Sequence, residues 1–518
     1  MTGAGVRNVI LEAEGVLFQS SGSLTGELAD VPARQVFQSA TWLRYAAGQL
    51  TSEEAFERIA TALGVHPSAI AEAVIAHRST WRPSPQLADM LDTLTSQGTN
   101  LYCLAAMPAA DWNCVREQLP DLWARFVDVA TTGELGAEPA SLDAVTRLCS
   151  RWAIAPRDTV YLGADQHTLQ FTRSMGIRSV RYRTPADLWR LRSEKNRLKA
   201  AEDYIRHSLR TDDVRSEAVT ETGEHHPVDE TWSLFYLLDA SETIARSEPG
   251  RALLRQLASL EQDGLYGFLR SPHPLMKDLP IDSDDTGLAL STLYSYGLAD
   301  QPMLQRAAKR ILDNVNRDGL IQLYFHPERP RVDSVVCSSA LCLLYLAGYQ
   351  EAPAARRTED FLYALLENRG YEQGSLYTPS PDFFLYTLFR IARRSAGFCD
   401  RFGTLLAARL TERIGTTGEP AGQALRVLMC RTLRIPNDID YERLLSQQCI
   451  DGSWGPAPAW QLIATAGNGY NRVLDTTFAA QAIRLTLAIG EDQHRPQRNR
   501  EIESHLACPA ELSGRAAL

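Results

Sequence analysis

Long apolar runs are missing from this chain of 518 residues. No stretch reaches the roughly 18 apolar residues of a membrane span, and the N-terminal segment lacks a cationic region followed by a long apolar one. We therefore expect no signal peptide and no stable membrane insertion. The nine cysteines show no CxxC spacing, and several lie in apolar helical stretches, which is typical of reduced thiols in a cytoplasmic protein.

An excess of positive charge is also missing. The formal net charge is -10 and the isoelectric point is about 5.6, with 44% apolar and 22% charged residues. This balance is that of a globular protein and argues against nucleic acid as a partner. The length predicts two or three domains.

The chain changes character near residue 195. Before it, short apolar segments alternate with helical ones, which predicts a parallel sheet with helices on both faces. These predicted strands are Val9–Leu11, Leu101–Leu104, Val127–Val129 and Val160–Leu162. Residues 196–226 are rich in charge and are predicted to form a solvated helix and a linker. Residues 227–495 form the second domain, and 496–518 a C-terminal tail.

The second domain shows a helical repeat of about 40 to 55 residues. Helices that are apolar on most sides are predicted to begin near Asp229, Asp284, Asp333, Asp382, Pro420 and Leu474. Amphipathic helices and Gly/Pro-rich turns separate them. Six such pairs predict an α/α6 double barrel, with an inner ring of helices inside an outer ring. The turns before the inner helices should share one end of the barrel, so their side chains should meet at one cavity.

The segment Asp282-Ser283-Asp284-Asp285-Thr286 is the strongest chemical signal in the chain. Three carboxyl groups so close together cannot all ionise easily away from water, so one of them is a candidate for an acid that stays neutral at pH 7. The structural alternative is that Asp282 or Ser283 caps a helix and the other acids favour the positive end of its dipole.

This segment resembles the DxDD motif of class II terpene cyclases. A second match is Gln448-Cys449-Ile450-Asp451-Gly452-Ser453-Trp454, which resembles the QxxDGSW repeat of squalene–hopene-type cyclases. The resemblance covers residues 227–495, the β domain of that superfamily. It implies that Asp284 donates a proton to an alkene and that Asp282 and Asp285 tune it. The QxxDGSW residues are expected to be structural, with Trp454 packed between repeats.

An isoprenyl diphosphate is the substrate that the resemblance implies. Aromatic rings would attract the carbocation, and arginine or lysine would bind the diphosphate. The candidate rings are Trp232, Tyr324, Phe384 and Tyr470, and the candidate cations are Arg331, Arg472 and Lys277. For each residue the alternative is ordinary packing or surface exposure. No protein ligand set for a metal is predicted. Mg²⁺ is expected only as the partner of the substrate diphosphate.

Residues 6–190 resemble a haloacid-dehalogenase-like (HAD) phosphatase with a helical cap, but all four of its motifs have changed. The two aspartates after the first strand are Glu12 and Glu14, and the hydroxyl residue after the second strand is replaced within Ala105-Ala106. The lysine position holds Glu138. The acidic pair that binds Mg²⁺ is Gly163-Ala164, which leaves only Asp165, displaced by one position. These losses together predict an inactive phosphatase.

The combination of the two domains resembles bacterial drimenyl diphosphate synthases. It implies cyclisation of farnesyl diphosphate to a bicyclic drimane-type diphosphate that keeps its diphosphate. Three alternatives stay open: a labdane-type cyclase acting on geranylgeranyl diphosphate, a bifunctional enzyme that also releases the drimane alcohol, and a non-catalytic α/α barrel. The acid triplet, and the absence of an Asp/Cys/His zinc set, argue against the last. The oligomeric state is not predicted.

Overall fold

The computed structural model of the chain describes residues 7–18, 24–79, 81–83, 85–96, 98–184, 187, 193–277, 279–463 and 466–493. It divides into two compact units, Met1–Ser193 and Glu194–Leu518. The predicted tail, 496–518, lies outside the described residues. Among the described residues no single helix has the length and apolar character to cross a membrane, and one bent pair, Ser52–Leu63 with Pro67–Ser79, passes that test only when taken together.

The first unit is built on a parallel sheet of five strands in the order β3-β2-β1-β4-β5. The strands are β1 (Asn8–Glu12), β2 (Asn100–Ala105), β3 (Asp128–Thr131), β4 (Thr159–Gly163) and β5 (Arg178–Arg181). The inner strands are apolar because helices cover both faces of the sheet. The α/β fold is therefore confirmed, and β5 adds a strand to the four predicted.

Four helices between β1 and β2 form the cap, and they share a hydrophobic core of their own. They are α1 (Ala33–Phe37), α2 (Ala40–Ala46), α3 (Ser52–Leu63) and α4 (Pro67–Ser79). The helices on the sheet are α5 (Pro85–Ser96), α6 (Ala109–Gln118), α7 (Pro120–Trp123), α8 (Thr132–Leu135), α9 (Leu142–Arg151) and α10 (Gln166–Ser174).

The second unit is a double ring of helices, as predicted. The inner helices are α12 (Trp232–Ala240), α15 (Ser283–Ser295), α17 (Ser334–Ala347), α19 (Pro381–Ala392), α21 (Pro420–Thr432) and α23 (Arg472–Gln493). Each contacts the next, and α23 contacts α12, so the ring closes. The outer helices are α11 (Glu194–Arg210), α14 (Glu248–Ala258), α16 (Gln301–Asp313), α18 (Pro353–Glu367), α20 (Ala396–Glu412) and α22 (Asp438–Ser446), and a short helix α13 (Glu242–Ala245) precedes α14.

Residues 196–226 were expected to form a solvated helix and a linker, but the helix in this segment is packed against other helices. Helix α11 packs against α23 and α14 and supplies the sixth outer helix. Most of its charged residues are exposed or half-buried, while Ala201 and Ile205 are buried. The Arg197 guanidinium is also buried and donates a hydrogen bond to the Leu445 carbonyl at 2.7 Å.

A small antiparallel sheet in this unit was not predicted. Its strands, in the order β7-β6-β9-β8, are β6 (Ser216–Val219), β7 (His225–Val228), β8 (Pro458–Leu462) and β9 (Gly467–Tyr470). Between α22 and β8, Trp454 is fully buried and donates from its indole N–H to the Leu444 carbonyl at 2.7 Å. The QxxDGSW segment thus has the structural role predicted for it.

Candidate active site

The acid triplet sits at the start of inner helix α15. Asp282 is the N-cap, and its Oδ1 accepts the backbone N–H of Asp285 at 2.7 Å. Gly287, one turn later, faces α17 so closely that an added Cβ would come within 2.5 Å of the Ser339 carbonyl oxygen. This close approach of α15 and α17 brings Ser339 and Asp333 beside the triplet.

The two carboxyl oxygens of Asp284 have different surroundings. Its Oδ2 accepts the indole N–H of Trp232 at 3.0 Å, whereas its Oδ1 is buried and makes no hydrogen bond within the described part of the chain. The nearby Ser339 hydroxyl, which bonds the Tyr236 hydroxyl at 3.2 Å, and the Trp232 N–H both favour the charged form. Burial outweighs them and raises the pKa of Asp284.

The neighbouring carboxyls are also protonated more readily than usual. Burial raises the pKa of Asp282. Burial and then the charges of Asp282 and Asp284 raise the pKa of Asp285 further, and the Thr231 hydroxyl donates to its Oδ1 at 3.2 Å. Raised pKa values at these three adjacent carboxyls favour at least one neutral acid near pH 7.

Aromatic rings close the barrel behind Trp232. The Trp232 indole stacks on Phe383 at 5.0 Å between centroids and meets Tyr236 edge to face at 4.7 Å. The Arg390 guanidinium lies 4.8 Å from the centre of the Tyr236 ring and pairs with the buried Asp239 at 2.8 Å. The inner end of the site is therefore filled by packed rings and a fixed ion pair.

A cavity of about 450 Å³ opens in front of the triplet, within the size range of about 300–1,000 Å³ typical of small-molecule sites. Its apolar lining is Phe268, Leu275, Met276, Leu279, Leu323, Val335, Val336, Leu462 and Ile463. Trp232, Trp460 and Tyr324 add aromatic surface. Three cations also line it, Lys277, Arg329 and Arg331, of which Lys277 and Arg331 are exposed and Arg329 is half-buried. The cavity thus combines buried acids with cations that reach solvent.

The structure brings together seven of the ten site residues predicted from the sequence. Asp282, Asp284, Asp285, Trp232, Tyr324, Arg331 and Lys277 all line this cavity. Phe384 does not, because it points to the other side of α19 and stacks on Tyr371 at 5.3 Å. Arg472 and Tyr470 also lie outside its lining: Arg472 pairs with Asp451 at 3.7 Å, and Tyr470 belongs to strand β9.

Arg329 and Phe268 were missed by the sequence reasoning. Both lie in irregular segments between helices, where no periodicity shows which way a side chain points. A basic pair at Arg329 and Arg331, two residues apart before an inner helix, was the available signal for Arg329.

Trp232→Phe tests the electrostatics of the acid. Loss of the indole N–H removes a hydrogen bond that favours the Asp284 carboxylate, so the pKa of Asp284 should rise. The pH above which turnover falls should then move upward by about one unit, since a hydrogen bond to a charged group contributes about 1.5 kcal/mol. A pH profile of turnover in both proteins measures it. If the alkaline limb of the pH profile does not move, the hydrogen bond assigned between Trp232 and Asp284 would be contradicted.

The first unit has its own polar site at the ends of β1 and β4. The Glu12 Oε2 accepts the Ala164 backbone N–H at 2.9 Å, and its Oε1 accepts the Tyr161 hydroxyl at 2.9 Å. Burial raises the pKa of Glu12 to about 7. The Glu14 Oε2 accepts the Ala106 backbone N–H at 3.0 Å, and burial raises its pKa as well.

Besides burial, the nearby charge of Asp165 raises the pKa of Glu12. Asp165 caps helix α10, where its Oδ2 accepts the N–H and the hydroxyl of Thr168, each at 2.9 Å. Glu138 is exposed. Among the described residues no group of three His, Cys, Asp or Glu side chains is arranged to hold a metal ion. The donor sets of both units therefore do not fit a metal held by protein ligands alone.

Comparison with known proteins agrees with the motifs. The model of the sesquiterpene cyclase astC-like C-terminal domain matches residues 206–347. The chain is 24% identical over 486 residues to the drimenol cyclase drtB of Aspergillus calidoustus, across 92% of this chain and 88% of that protein. It is 20% identical over 168 residues to the sesquiterpene phosphatase astK of Aspergillus oryzae, across 32% of this chain and 85% of that protein.

Among solved structures, the apo type II terpene cyclase MstE from Scytonema matches with a TM-score of 0.43 and 14% identity, over 57% of this chain and 99% of that one. The sequence relatives confirm the terpene cyclase resemblance that the motifs indicated.

Proposed function

We propose that the protein is a class II sesquiterpene cyclase that converts farnesyl diphosphate to drimenyl diphosphate. The observation that carries this proposal is the buried triplet of Asp282, Asp284 and Asp285 in an apolar cavity that also carries exposed cations. An isoprenyl diphosphate has the matching polarity, with an alkene at one end and a charged head at the other.

Asp284 is the proton donor in this proposal. An alkene is a very weak base, so its protonation needs a neutral carboxylic acid in a site without water. The proton is assigned to Oδ1, the Asp284 oxygen that does not accept the Trp232 N–H. The Trp232 N–H on Oδ2 then stabilises the carboxylate that forms. The indole and phenol rings at the cavity surface attract the cation by about 0.5–2 kcal/mol each.

The diphosphate binds at Lys277, Arg329 and Arg331 in this proposal. Arginine suits this role because its planar fork can donate two hydrogen bonds to one phosphate group. Mg²⁺ would accompany the diphosphate and neutralise part of its charge. No protein carboxylate is assigned to it.

Alanine at Arg329 or Arg331 should weaken substrate binding. Loss of a hydrogen bond from a charged group costs about 1.5–3 kcal/mol of binding free energy. The Michaelis constant should therefore rise by about 10- to 100-fold with the product unchanged. Steady-state kinetics with farnesyl diphosphate measures this. Arg472→Ala is the matched control, because this exposed arginine lies outside the cavity. An equal effect of Arg472→Ala would contradict the placement of the diphosphate.

Farnesyl diphosphate is favoured over geranylgeranyl diphosphate because packed rings close the inner end of the site. Phe383, Tyr236 and Tyr386 are all buried and pack together behind Trp232, and none of them lines the cavity. Incubation with each diphosphate in turn tests the assignment. Preferred turnover of geranylgeranyl diphosphate to a bicyclic product would favour the labdane alternative.

The diphosphate is retained in this proposal, because the site at the ends of β1 and β4 offers no phosphatase geometry. The carboxylates of Glu12 and Glu14 accept hydrogen bonds from backbone N–H groups of the same site. The names of the two relatives, a drimenol cyclase and a sesquiterpene phosphatase, favour the second candidate, a bifunctional enzyme that releases the alcohol. Extraction of product with and without added phosphatase distinguishes the two.

A further inference from the structure

The cyclisation needs a proton acceptor as well as a donor. Protonation of the terminal alkene starts a cation at the far end of the prenyl chain, and each ring closure moves the charge toward the carbon that bears the diphosphate. The last cation must lose a proton there. The Asp284 carboxylate lies at the other end of the substrate, so a different group has to accept this proton.

Two tyrosine hydroxyls of the cavity are candidates for this acceptor. The backbone of Tyr324 bridges to Asp282, while its hydroxyl lies 3.2 Å from that of Tyr377. The Arg331 guanidinium donates a hydrogen bond to the Tyr377 hydroxyl at 2.6 Å. Both tyrosines line the cavity. The pair thus connects the acid triplet with a cation assigned to the diphosphate.

The cations at the same place cannot accept a proton, because lysine and arginine side chains carry donors only. The Asp333 carboxylate also lines the cavity, but its oxygens already accept backbone N–H groups of helix α17 and of Tyr377. Apart from the carboxyl groups, Thr378 and Gln461 are the other neutral side chains with an acceptor oxygen among the described lining residues. The tyrosines differ from them because their hydroxyls form a continuous hydrogen-bonded path to Arg331.

We propose that Tyr324 accepts the proton of the terminating step and that Tyr377 passes it on to the substrate diphosphate. This inference rests on the proposed function. The C–H bond next to the last cation breaks and its electron pair forms the new alkene. The proton binds the Tyr324 oxygen, the Tyr324 proton moves to Tyr377, and the Tyr377 proton moves to a diphosphate oxygen. No oxidant or other reactant is needed.

Neutral tyrosine is sufficient for this step, because a C–H bond beside a carbocation is a very strong acid. Burial raises the pKa of Tyr324, so the residue stays a neutral hydroxyl and has to pass a proton on as it takes one. Arg331 occupies one lone pair of the Tyr377 oxygen, and Tyr324 can donate to the other. The Tyr377 proton is then free to point at the diphosphate.

Tyr324→Phe and Tyr377→Phe in the full chain test the proposal. Both keep the ring and remove the hydroxyl. Protonation by Asp284 uses neither hydroxyl, so both variants should still form bicyclic products, but the single alkene of the wild type should give way to other alkene isomers and a water-trapped alcohol. Gas chromatography after added phosphatase measures the product ratio, and thermal melting reports folding. Tyr345→Phe is the matched control, since its hydroxyl donates to Glu359 outside the cavity.

An unchanged product ratio in both variants would overturn the proposal. So would a change of product in Thr378→Val or Gln461→Leu with none in the tyrosine variants, because that result would assign the acceptor elsewhere. Failure of the proposed function is a separate outcome, since the wild type itself would then form no bicyclic product. A fall in consumption as deep as that of Asp284→Asn would place the hydroxyls in proton donation and would also contradict the inference.

Discussion

Asp284→Asn is expected to abolish cyclisation while substrate binding stays almost intact. The amide has nearly the shape of the acid and can still accept the Trp232 N–H, but it has no acidic proton for an alkene. General acid catalysis contributes about 10²- to 10⁴-fold, and we expect a loss at the upper end because no water replaces the donor in this buried site. Turnover by the variant measures the loss of cyclisation, and inhibitor binding measures whether the substrate site is intact.

Two further variants show whether this loss is specific. Asp282→Asn should lower turnover severely but less completely, because asparagine can still cap α15 and Asp284 keeps its proton. Asp300→Asn is the matched control, since Asp300 caps the outer helix α16 through the Met303 N–H at 2.9 Å and lies outside the cavity. Substantial turnover by Asp284→Asn would refute its role as the donor.

The purified protein is expected to release no free drimane alcohol unless phosphatase is added. Glutamate in place of aspartate moves a nucleophile by more than an ångström, which is enough to prevent in-line attack on phosphorus. The Glu12 carboxylate is already bonded to the Ala164 N–H and the Tyr161 hydroxyl. A Cβ at Gly163 would come within 2.6 Å of the Glu12 Oε1, so a metal-binding side chain there would require the Glu12 carboxylate to move from its present hydrogen bonds.

Single reversions should therefore recover almost nothing. Losses at one transition state are not additive, so Glu12→Asp alone should stay inactive toward phosphate esters. Free alcohol from the purified wild type would contradict this account. In that case Glu12→Gln identifies the source, since a phosphatase that depends on Glu12 would then lose its activity and leave cyclisation unchanged.

The main features of the fold were predictable because hydrophobic periodicity is strong in both units. The six inner helices begin within a few residues of the predicted positions, since buried helices must be apolar all round. The same property hides the direction of each side chain. Phe383 and Phe384 are adjacent on α19, and no pattern shows that Phe383 contacts Trp232 while Phe384 contacts Tyr371.

The features that were missed depend on tertiary contacts. Helix α11 was interpreted as solvated because it is highly charged, yet the buried Arg197 reaches the Leu445 carbonyl and replaces an apolar contact. The strands β6 to β9 are four or five residues long, and three of the four residues of β9, two glycines and an asparagine, are of types that are depleted in strands. Their pairing joins segments more than 200 residues apart, which no local signal reports.

The most direct test of the account is incubation of the full chain with farnesyl diphosphate in D₂O, after exchange of the protein into that solvent. The products are dephosphorylated and analysed by mass spectrometry. In D₂O the proton of the donor carboxyl exchanges for a deuteron, which the donor then places on the substrate. The account therefore predicts a bicyclic alcohol that carries one deuterium and appears only after phosphatase treatment. A bicyclic product without deuterium, or farnesol alone, would contradict it.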